Sequence, residues 1–538
     1  MASGRDRGRA ETDPASTKTV VIIGGGIAGL ASAALLARAG HSVTVLEAHA
    51  TLGGRAGTWE KGGFRFDTGP SWYVMPEAFD HFYRLLGTSA EEQLELVTLD
   101  PGYRVYFEGQ SEPLDISASL DENLALFERT QRKAGRRLEK YLESAASTYE
   151  LAKRNFLFTT FAGPGWLLNR EVLGQLPRLA RLLFRPLSSL VAGTVRDDRL
   201  RKILGYPAIL LGVSPFTAPS MYHLMSHLDL AGGVQYPIGG VARVIESIAA
   251  LAIAEGVTII RSARATKIRV RDGAATGVEY TDALKRPQAL TADIVVSAAD
   301  LHHTETELLE RREQTYPQAY WDKATPSPSA VLLHLGVSGE LPELEHHTLL
   351  FPKNWRGGFD AIFGADPHVP NPASLYVCKP SGVDSAVAPD GHENLFVHVP
   401  VPADASLGKG GVGGRGDRAV EAVADAAIEQ LAAWAGIPDL ASRVTVRRTV
   451  GPSDFASELN SWRGSALGPA HIRRQSGVFR ARNASTKVRN LYFVGSSTIP
   501  GVGLPMCLIS AEVLLKKITG DRSTTPLPEP LERADGTG

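Results

Sequence analysis

Gly24, Gly26 and Gly29 stand at G-x-G-x-x-G spacing, with Glu47 further along and Gly53-Gly54-Arg55 a few residues beyond it. These residue types in this order suit the binding of an adenine dinucleotide. Gly24 permits a tight turn, Gly26 lets the backbone approach a pyrophosphate, and Gly29 lets a helix pack closely on a strand. A helix opening at such a turn offers free N–H groups and the positive end of its dipole to phosphate. Glu47 would accept hydrogen bonds from ribose hydroxyls. The Arg55 guanidinium would neutralise the pyrophosphate through charge-assisted contacts.

The flanking sequence supplies the elements this chemistry needs. The run TVVII, Thr19–Ile23, is apolar and β-rich, residues 27–39 read as helix, and the strand Ser42–Leu46 delivers Glu47 at its end. That context separates a nucleotide site from an unliganded glycine turn. A second G-x-G-x-x-G, formed by Gly411, Gly413 and Gly416, lacks it. It lies in LGKGGVGGRGD, residues 407–417, which reads as a flexible loop, and its downstream acid, Glu429, falls inside a helical pattern over 419–435. This loop is a decoy, so a nicotinamide site is not expected.

Composition narrows the class. The chain has 538 residues, more than one ordinary core, with 43% apolar and 21% charged residues, as in a globular protein of two or three connected domains. A net charge of -1 argues against a nucleic-acid binder, which needs excess Lys and Arg. Cys378 and Cys507 are the only cysteines and have no C-x-x-C spacing, so no disulfide framework or zinc site is expected, and the compartment reads as reducing and cytoplasmic. No run of about 18 apolar residues marks a transmembrane helix. Residues 1–17 carry no secretory signal, and they and the tail 521–538 are expected to be disordered.

Along the chain, GTWEKGGFRFDTGPSWYV reads as a hairpin ending in Gly69, Pro70 and Ser71, whose backbone permits tight passage. Alternating runs such as YRVYF over 91–116 suggest a second sheet, and 120–205 reads mostly as helix. Strands resume over 256–300, ending in SAAD, which implies a discontinuous nucleotide domain. Near the C-terminus NLYFVGSSTIPGVGLP is a strand ending at Gly495, a Gly/Pro turn, and a helix opening at Leu504. Its N-terminus, at Gly503, Leu504, Pro505 and Met506, is a second anion-favouring site.

Taken together, GGGIAGL, GGR, FDTGPS, SAAD and YFVGSSTIPGVGLP make residues 18–519 resemble the bacterial-type phytoene desaturases, carotenoid desaturases and isomerases related to amine oxidases. GVSPF and GGVQYPIGG are similar to a family stretch written GGNPF followed by GGVWFPRGG. The resemblance implies an α/β fold: a discontinuous GR2-type FAD-binding Rossmann-like domain (18–90, 231–310, 486–520), a mixed-sheet substrate domain (91–150, 311–485) and a helical membrane-associating region (151–230). It implies FAD as cofactor, with Ala265 on the strand that binds adenine and the C-terminal helix facing the flavin pyrimidine edge. The implied reaction is hydride transfer from phytoene or another linear C40 polyene to flavin N5 with loss of a vicinal proton, giving a product such as lycopene, with oxygen or quinone reoxidising the flavin. Arg170 and Glu171 lie near a suspected family acid–base pair and are the catalytic candidates. Asp300 and Ser297 are expected to place backbone near the flavin.

His302-His303 and His346-His347 could suggest metal binding, but adjacent strand residues point to opposite faces, so they are read as surface or core histidines and no metal is expected. Alternatives for the whole are another carotenoid-family reaction, such as isomerisation or desaturation of a hydroxycarotenoid, a flavin amine oxidase, or a prenyl-lipid chaperone like the GDP-dissociation inhibitors. Residues 151–196 hold seven Lys or Arg against one acid, Glu171, among Phe156, Phe158, Phe161, Trp166 and many leucines. This pattern fits an amphipathic surface docking peripherally on anionic lipid, or a helix pair with a solvated basic face.

Overall fold

The computed structural model describes residues 17–162 and 169–533. Five parallel strands form one sheet in the order Leu491–Phe493, Ile294–Ser297, Thr19–Ile23, Ser42–Leu46, Thr258–Ile260. It therefore gathers three separated stretches of chain. Two of its three inner strands, TVVII and IVVS, are buried apolar runs, as a parallel sheet covered on both faces requires. Helices Ile27–Arg38, Gly240–Ala254 and Leu504–Thr519 pack together on one face. The antiparallel sheet of Arg264–Arg271, Ala274–Thr281 and Pro287–Thr291 shares the core on the other face with Trp321 and Trp462.

A second, mixed sheet runs Val444–Val450, Ser329–Ser338, His392–Val401, Leu375–Cys378, His347–Phe351, Tyr103–Phe107, Leu114–Ile116. Period-2 alternation divides its faces. On Ser329–Ser338, Val331, Leu333, Leu335 and Val337 pack against helix Arg418–Ala435, while Ala330 and Leu332 join Phe396 and Cys378 on the opposite face. The hairpin Thr58–Lys61/Phe64–Asp67 connects the two sheets' regions through Asp67, whose carboxylate accepts from Val241 N (2.8 Å) and Ala242 N (3.2 Å) in the first turn of Gly240–Ala254. Helices Ala134–Ala152, Leu187–Thr194 and Asp198–Gly205 pack on Tyr103, Val105 and Phe351 of the mixed sheet.

Two local expectations need correction. The 407–417 loop is pinned: Gly413 N donates to Arg447 O and Thr449 N to Gly411 O, both at 2.8 Å, covering the outer edge of Val444–Val450. A Cβ on Gly410 would lie 2.0 Å from Thr449 O, so glycine there serves close strand approach. Glu429 is mid-helix in Arg418–Ala435. The described part of the tail, 521–533, also packs on the fold, and 534–538 lie outside the described residues. Leu527 and Leu531 pack on the nucleotide-domain core, Leu531 N donates to Leu85 O (3.0 Å), and Arg38 Nε donates to Leu531 O (3.0 Å). Two leucines with a matching groove outweigh a Pro- and Thr-rich composition. The N-terminal expectation for 1–16 lies outside the described residues, as does Trp166.

Candidate functional site

The first strand ends in a turn held by Gly24 N donating to Leu46 O (2.8 Å). Gly24 has φ +101°, and a Cβ on Gly29 would stand 2.0 Å from Gly24 O, so helix Ile27–Arg38 can seat on the turn only with glycine at 29. At Gly26 the opposite holds: the nearest atom to an added Cβ is Gly53 O at 3.7 Å, and the space opens on the cavity. The helix has no side-chain cap and no acid in its first turn. Glu47 is buried, accepting from Gly25 N and His49 N, each at 2.7 Å. It locks the turn and also borders the cavity.

Gly53 and Gly54 form a second turn against the first, with Gly53 N donating to Gly25 O (3.0 Å). Arg55 then reaches over, donating from Nη2 to Ser461 Oγ (2.8 Å) and standing 3.8 Å from Asp300 Oδ2. Asp300 Oδ1 caps helix Leu301–Glu307 by accepting from His302 N (2.9 Å), whereas its buried Oδ2 and Arg55 Nε have no hydrogen-bond partner. Gly69 passes Arg55 so closely that a Cβ would lie 2.1 Å from its carbonyl oxygen. Pro70 and Ser71 follow on the cavity wall, where Ser71 Oγ and Tyr376 Oη are 2.5 Å apart. Ala265 lies in the same wall beside Ala263, whose N–H donates to Glu47 O (2.7 Å).

From the far side Gly495 N donates to Ser510 Oγ (3.1 Å), and Gly503 precedes helix Leu504–Thr519, again with no side-chain cap and no first-turn acid. Gly495, Gly503, Leu504, Pro505 and Met506 all border the cavity. Two uncapped helix N-termini, an open backbone approach at Gly26, and the unsatisfied Arg55–Asp300 pair thus surround one space. They fit a flavin dinucleotide, whose pyrophosphate carries the negative charge that such termini and a guanidinium favour.

That space is one end of a cavity of about 1110 Å³, above the ~300–1,000 Å³ of ordinary small-ligand sites. Its other end is a chamber walled by Trp72, Tyr206, Phe351 and Phe396 and bordered by the exposed Phe184, Val478 and Phe479. None of the lining residues contributed by 149–225 and 476–479 is charged. Burial holds the bordering His398 down to about 4, and burial with the Arg480 guanidinium holds His471 well below the usual imidazole range, so both are neutral. Sequence reasoning missed these lining residues and Ser461. They come from distant segments, and only the fold brings them here.

Arg170 and Glu171 are not brought to the cavity. Val172 borders it, but Arg170 is exposed and the Glu171 carboxylate accepts from Arg154 Nη2 (2.7 Å) and Asn155 Nδ2 (3.1 Å). Successive helical residues are turned by about 100°, so an inward Val172 leaves its predecessors outward, and the acid–base assignment is withdrawn. His302 and His303 lie on helix Leu301–Glu307, and His303 borders the cavity. The opposite-faces argument fails for His346-His347. His346 precedes the strand, alternation does not span that junction, and both rings converge on Cys378.

Comparison with known proteins accords with this geometry. The family described as flavin containing amine oxidoreductase matches residues 27–512. A carotenoid 3,4-desaturase of Haloarcula japonica is 38% identical, covering 92% of this chain and 97% of its own. A zeta-carotene-forming phytoene desaturase of Myxococcus xanthus is 32% identical over 93% and 94%, and a lycopene-forming phytoene desaturase of a Paracoccus species is 30% identical over 94% and 98%. Among solved structures, an oxidoreductase from Methanosarcina mazei superposes with TM-score 0.61 at 17% identity over 93% of this chain and 100% of that one. A putrescine oxidase bound to putrescine gives 0.58 at 17% identity over 94% and 99%. The chain belongs to the flavin containing amine oxidoreductase family and is an FAD-dependent oxidoreductase of the phytoene desaturase type.

Proposed function

We propose that this protein desaturates a linear carotenoid, phytoene or a related C40 polyene, to a more conjugated product such as lycopene. The observation that carries this reading is the single cavity joining the dinucleotide cradle to an uncharged, aromatic-walled chamber. A polyene has no group for a salt bridge or hydrogen bond, so its recognition rests on apolar burial, about 25 cal/mol per Å². When bound, FAD supplies the hydride acceptor, and oxygen or a quinone is the proposed electron sink. The chain's own residues hold the pyrophosphate, keep the chamber dry and align the polyene along Trp72, Tyr206 and Phe396. An amine oxidase would need an aromatic cage, which the chamber's aromatic wall could supply, and a lysine beside the flavin. No lysine borders the cavity among the described residues. A chaperone role would leave the complete cradle without purpose.

The test is expression in a host that accumulates colourless phytoene, and in one that accumulates lycopene, with pigments identified by chromatography and absorbance. New conjugation in either fixes the step. No new pigment in both, with FAD bound, refutes carotenoid desaturation.

Peripheral membrane docking belongs to the same reading. No helix among the described residues is long and apolar enough to cross a membrane. Beside the chamber Phe184 and Phe479 are 66% and 64% exposed, the Arg473 guanidinium lies 5.4 Å over the Phe184 ring, and Arg181 precedes Phe184 by three residues on the same helix. Such aromatics enter the headgroup boundary while each basic group contributes about 1 kcal/mol against anionic lipid. Arg178 and Arg185 are already engaged, with Ser144 O (2.9 Å) and Ser189 O (2.5 Å), so they are the wrong residues to change. Arg181→Glu with Arg473→Glu should weaken co-sedimentation with anionic liposomes. Equal binding by variant and wild type excludes the electrostatic docking.

A further inference from the structure

Behind the cavity wall, outside the dinucleotide cradle, three donor side chains meet. His347 pairs in register with Cys378 across the strands His347–Phe351 and Leu375–Cys378, and Lys379 N donates to His346 O (2.8 Å) at the next position. The two imidazoles stand edge to face, centroids 4.6 Å apart and planes at 81°. A nitrogen of each and the Cys378 sulfur lie within 4.8 Å of one another, and all three residues are buried. Neither ring nitrogen of His346 has a hydrogen-bond partner, nor does Nε2 of His347. A neutral imidazole offers one donor and one acceptor, and the great majority of buried side-chain polar atoms are paired. Three orphaned nitrogens on two imidazoles, each ring bringing one nitrogen near the thiol, indicate a partner that the chain itself does not supply.

We propose that His346, His347 and Cys378 bind one thiophilic d10 cation, Zn²⁺ or Cu⁺. Two imidazoles and a thiolate are a nitrogen–sulfur set that such ions favour, whereas Ca²⁺ and Mg²⁺ take oxygen. Bonds of about 2.0–2.3 Å place ligand atoms roughly 3.3–3.8 Å apart around the ion, so the donors close by about 1 Å through side-chain rotation. Binding converts the thiol to a metal-bound thiolate and releases one proton to solvent. The complex is then neutral with Cu⁺ and carries +1 with Zn²⁺. Burial and then the Lys379 ammonium oppose positive charge at His346, with Asp384 offsetting part of this, and burial with Asp67 opposes the Cys378 thiolate, so the metal–ligand bonds themselves must outweigh the surroundings.

The ion would act through positioning. With His347 ligating through its unpartnered Nε2, its Nδ1 keeps the proton and donates to Tyr376 Oη (2.8 Å), and the Tyr376 hydroxyl then donates to Ser71 Oγ. Tyr376 and Ser71 both border the cavity, so the metal fixes the direction of a hydroxyl chain in its wall.

The experiment uses the full-length, FAD-loaded protein, exposed separately to Zn²⁺ and to Cu⁺ under reducing conditions, desalted, and measured for bound metal. One equivalent per chain is expected in wild type and under a tenth of that in Cys378→Ser and His346→Leu. The ion retained distinguishes zinc from copper. After chelation, His346→Leu should melt no lower than wild type, because it removes two orphaned nitrogens, whereas metal-loaded wild type should melt higher than both. Should either variant fail to fold, Co²⁺ added to wild type decides: thiolate-to-cobalt charge transfer and ligand-field bands beyond the flavin spectrum support the site. Absent bands, or equal metal retention by wild type and variants, overturn it.

Discussion

Gly26→Val separates cofactor binding from folding. Gly26 has φ -76° and ψ 176°, a conformation open to any residue, and an added Cβ meets nothing nearer than Gly53 O at 3.7 Å. Replacing glycine at a compatible position lowers unfolded-state entropy, which favours folding by about 0.4–1 kcal/mol. Valine is a poorer N-cap than glycine, a term of similar size and opposite sign. Apo-protein stability should therefore stay within about 1 kcal/mol of wild type. The same side chain occupies the open approach at Gly26 to the helix N-terminus. Losing two backbone bonds to a charged pyrophosphate, each worth about 1.5–3 kcal/mol, weakens FAD binding by roughly 10²- to 10⁴-fold. The assay is thermal melting of the apo-protein beside titration of FAD by fluorescence quenching. Gly29→Ala is the contrast, because its Cβ would stand 2.0 Å from Gly24 O and must damage the fold itself. A Gly26→Val protein that binds FAD as wild type does would refute the placement of the pyrophosphate.

Arg55→Ala should lower FAD retention about tenfold, less than Gly26→Val, and should also lower Tm, because it leaves the 2% exposed Asp300 carboxylate facing no cation; unchanged values of both would remove Arg55 from the site. Gly410→Ala should destabilise the protein by about 1–3 kcal/mol, the cost of displacing the loop from Thr449 O, while turnover without added nicotinamide persists; stimulation by NAD(P) that the variant abolishes would restore the second dinucleotide reading. Burial raises the Asp229 carboxyl to about 7, against hydrogen bonds such as that from Tyr103 Oη (3.1 Å). The folded state thus holds a proton that the unfolded state releases near pH 4, and this group's contribution to stability falls as pH rises from about 4 to about 7, by at most about 4 kcal/mol. Asp229→Asn should flatten that part of the Tm–pH profile and raise stability at pH 7.5; a profile identical to wild type counts against it.

The βαβ unit was legible because its determinants are local. Glycine spacing, an apolar run and a terminal acid all lie within residues 19–47, and Thr19–Ile23 and Ser42–Leu46 appear at the expected bounds. The start of the last helix at Leu504 was legible for the same reason. What the sequence concealed were partners far apart in the chain: Ser461 on Arg55, Tyr376 on Ser71, and Leu531 on Leu85. Glycine also misled where its role was close packing, as at Gly410. Arg170 and Glu171 show the converse limit, since a residue's neighbourhood in sequence does not settle which face of a short helix turns inward.

The order of strands in the parallel sheet has a consequence for synthesis. Leu491–Phe493 pairs with Ile294–Ser297, so the sheet waits for 194 further residues, 491 less 297, after its penultimate strand has been made. At about 5–20 residues per second that is roughly 10–40 s, during which the unpaired edge of Ile294–Ser297 needs shelter. The helix at Leu504 that completes the dinucleotide cradle comes later still. A nascent chain shorter than this helix therefore has no finished place for the cofactor, and FAD uptake reports that synthesis has passed Leu504–Thr519.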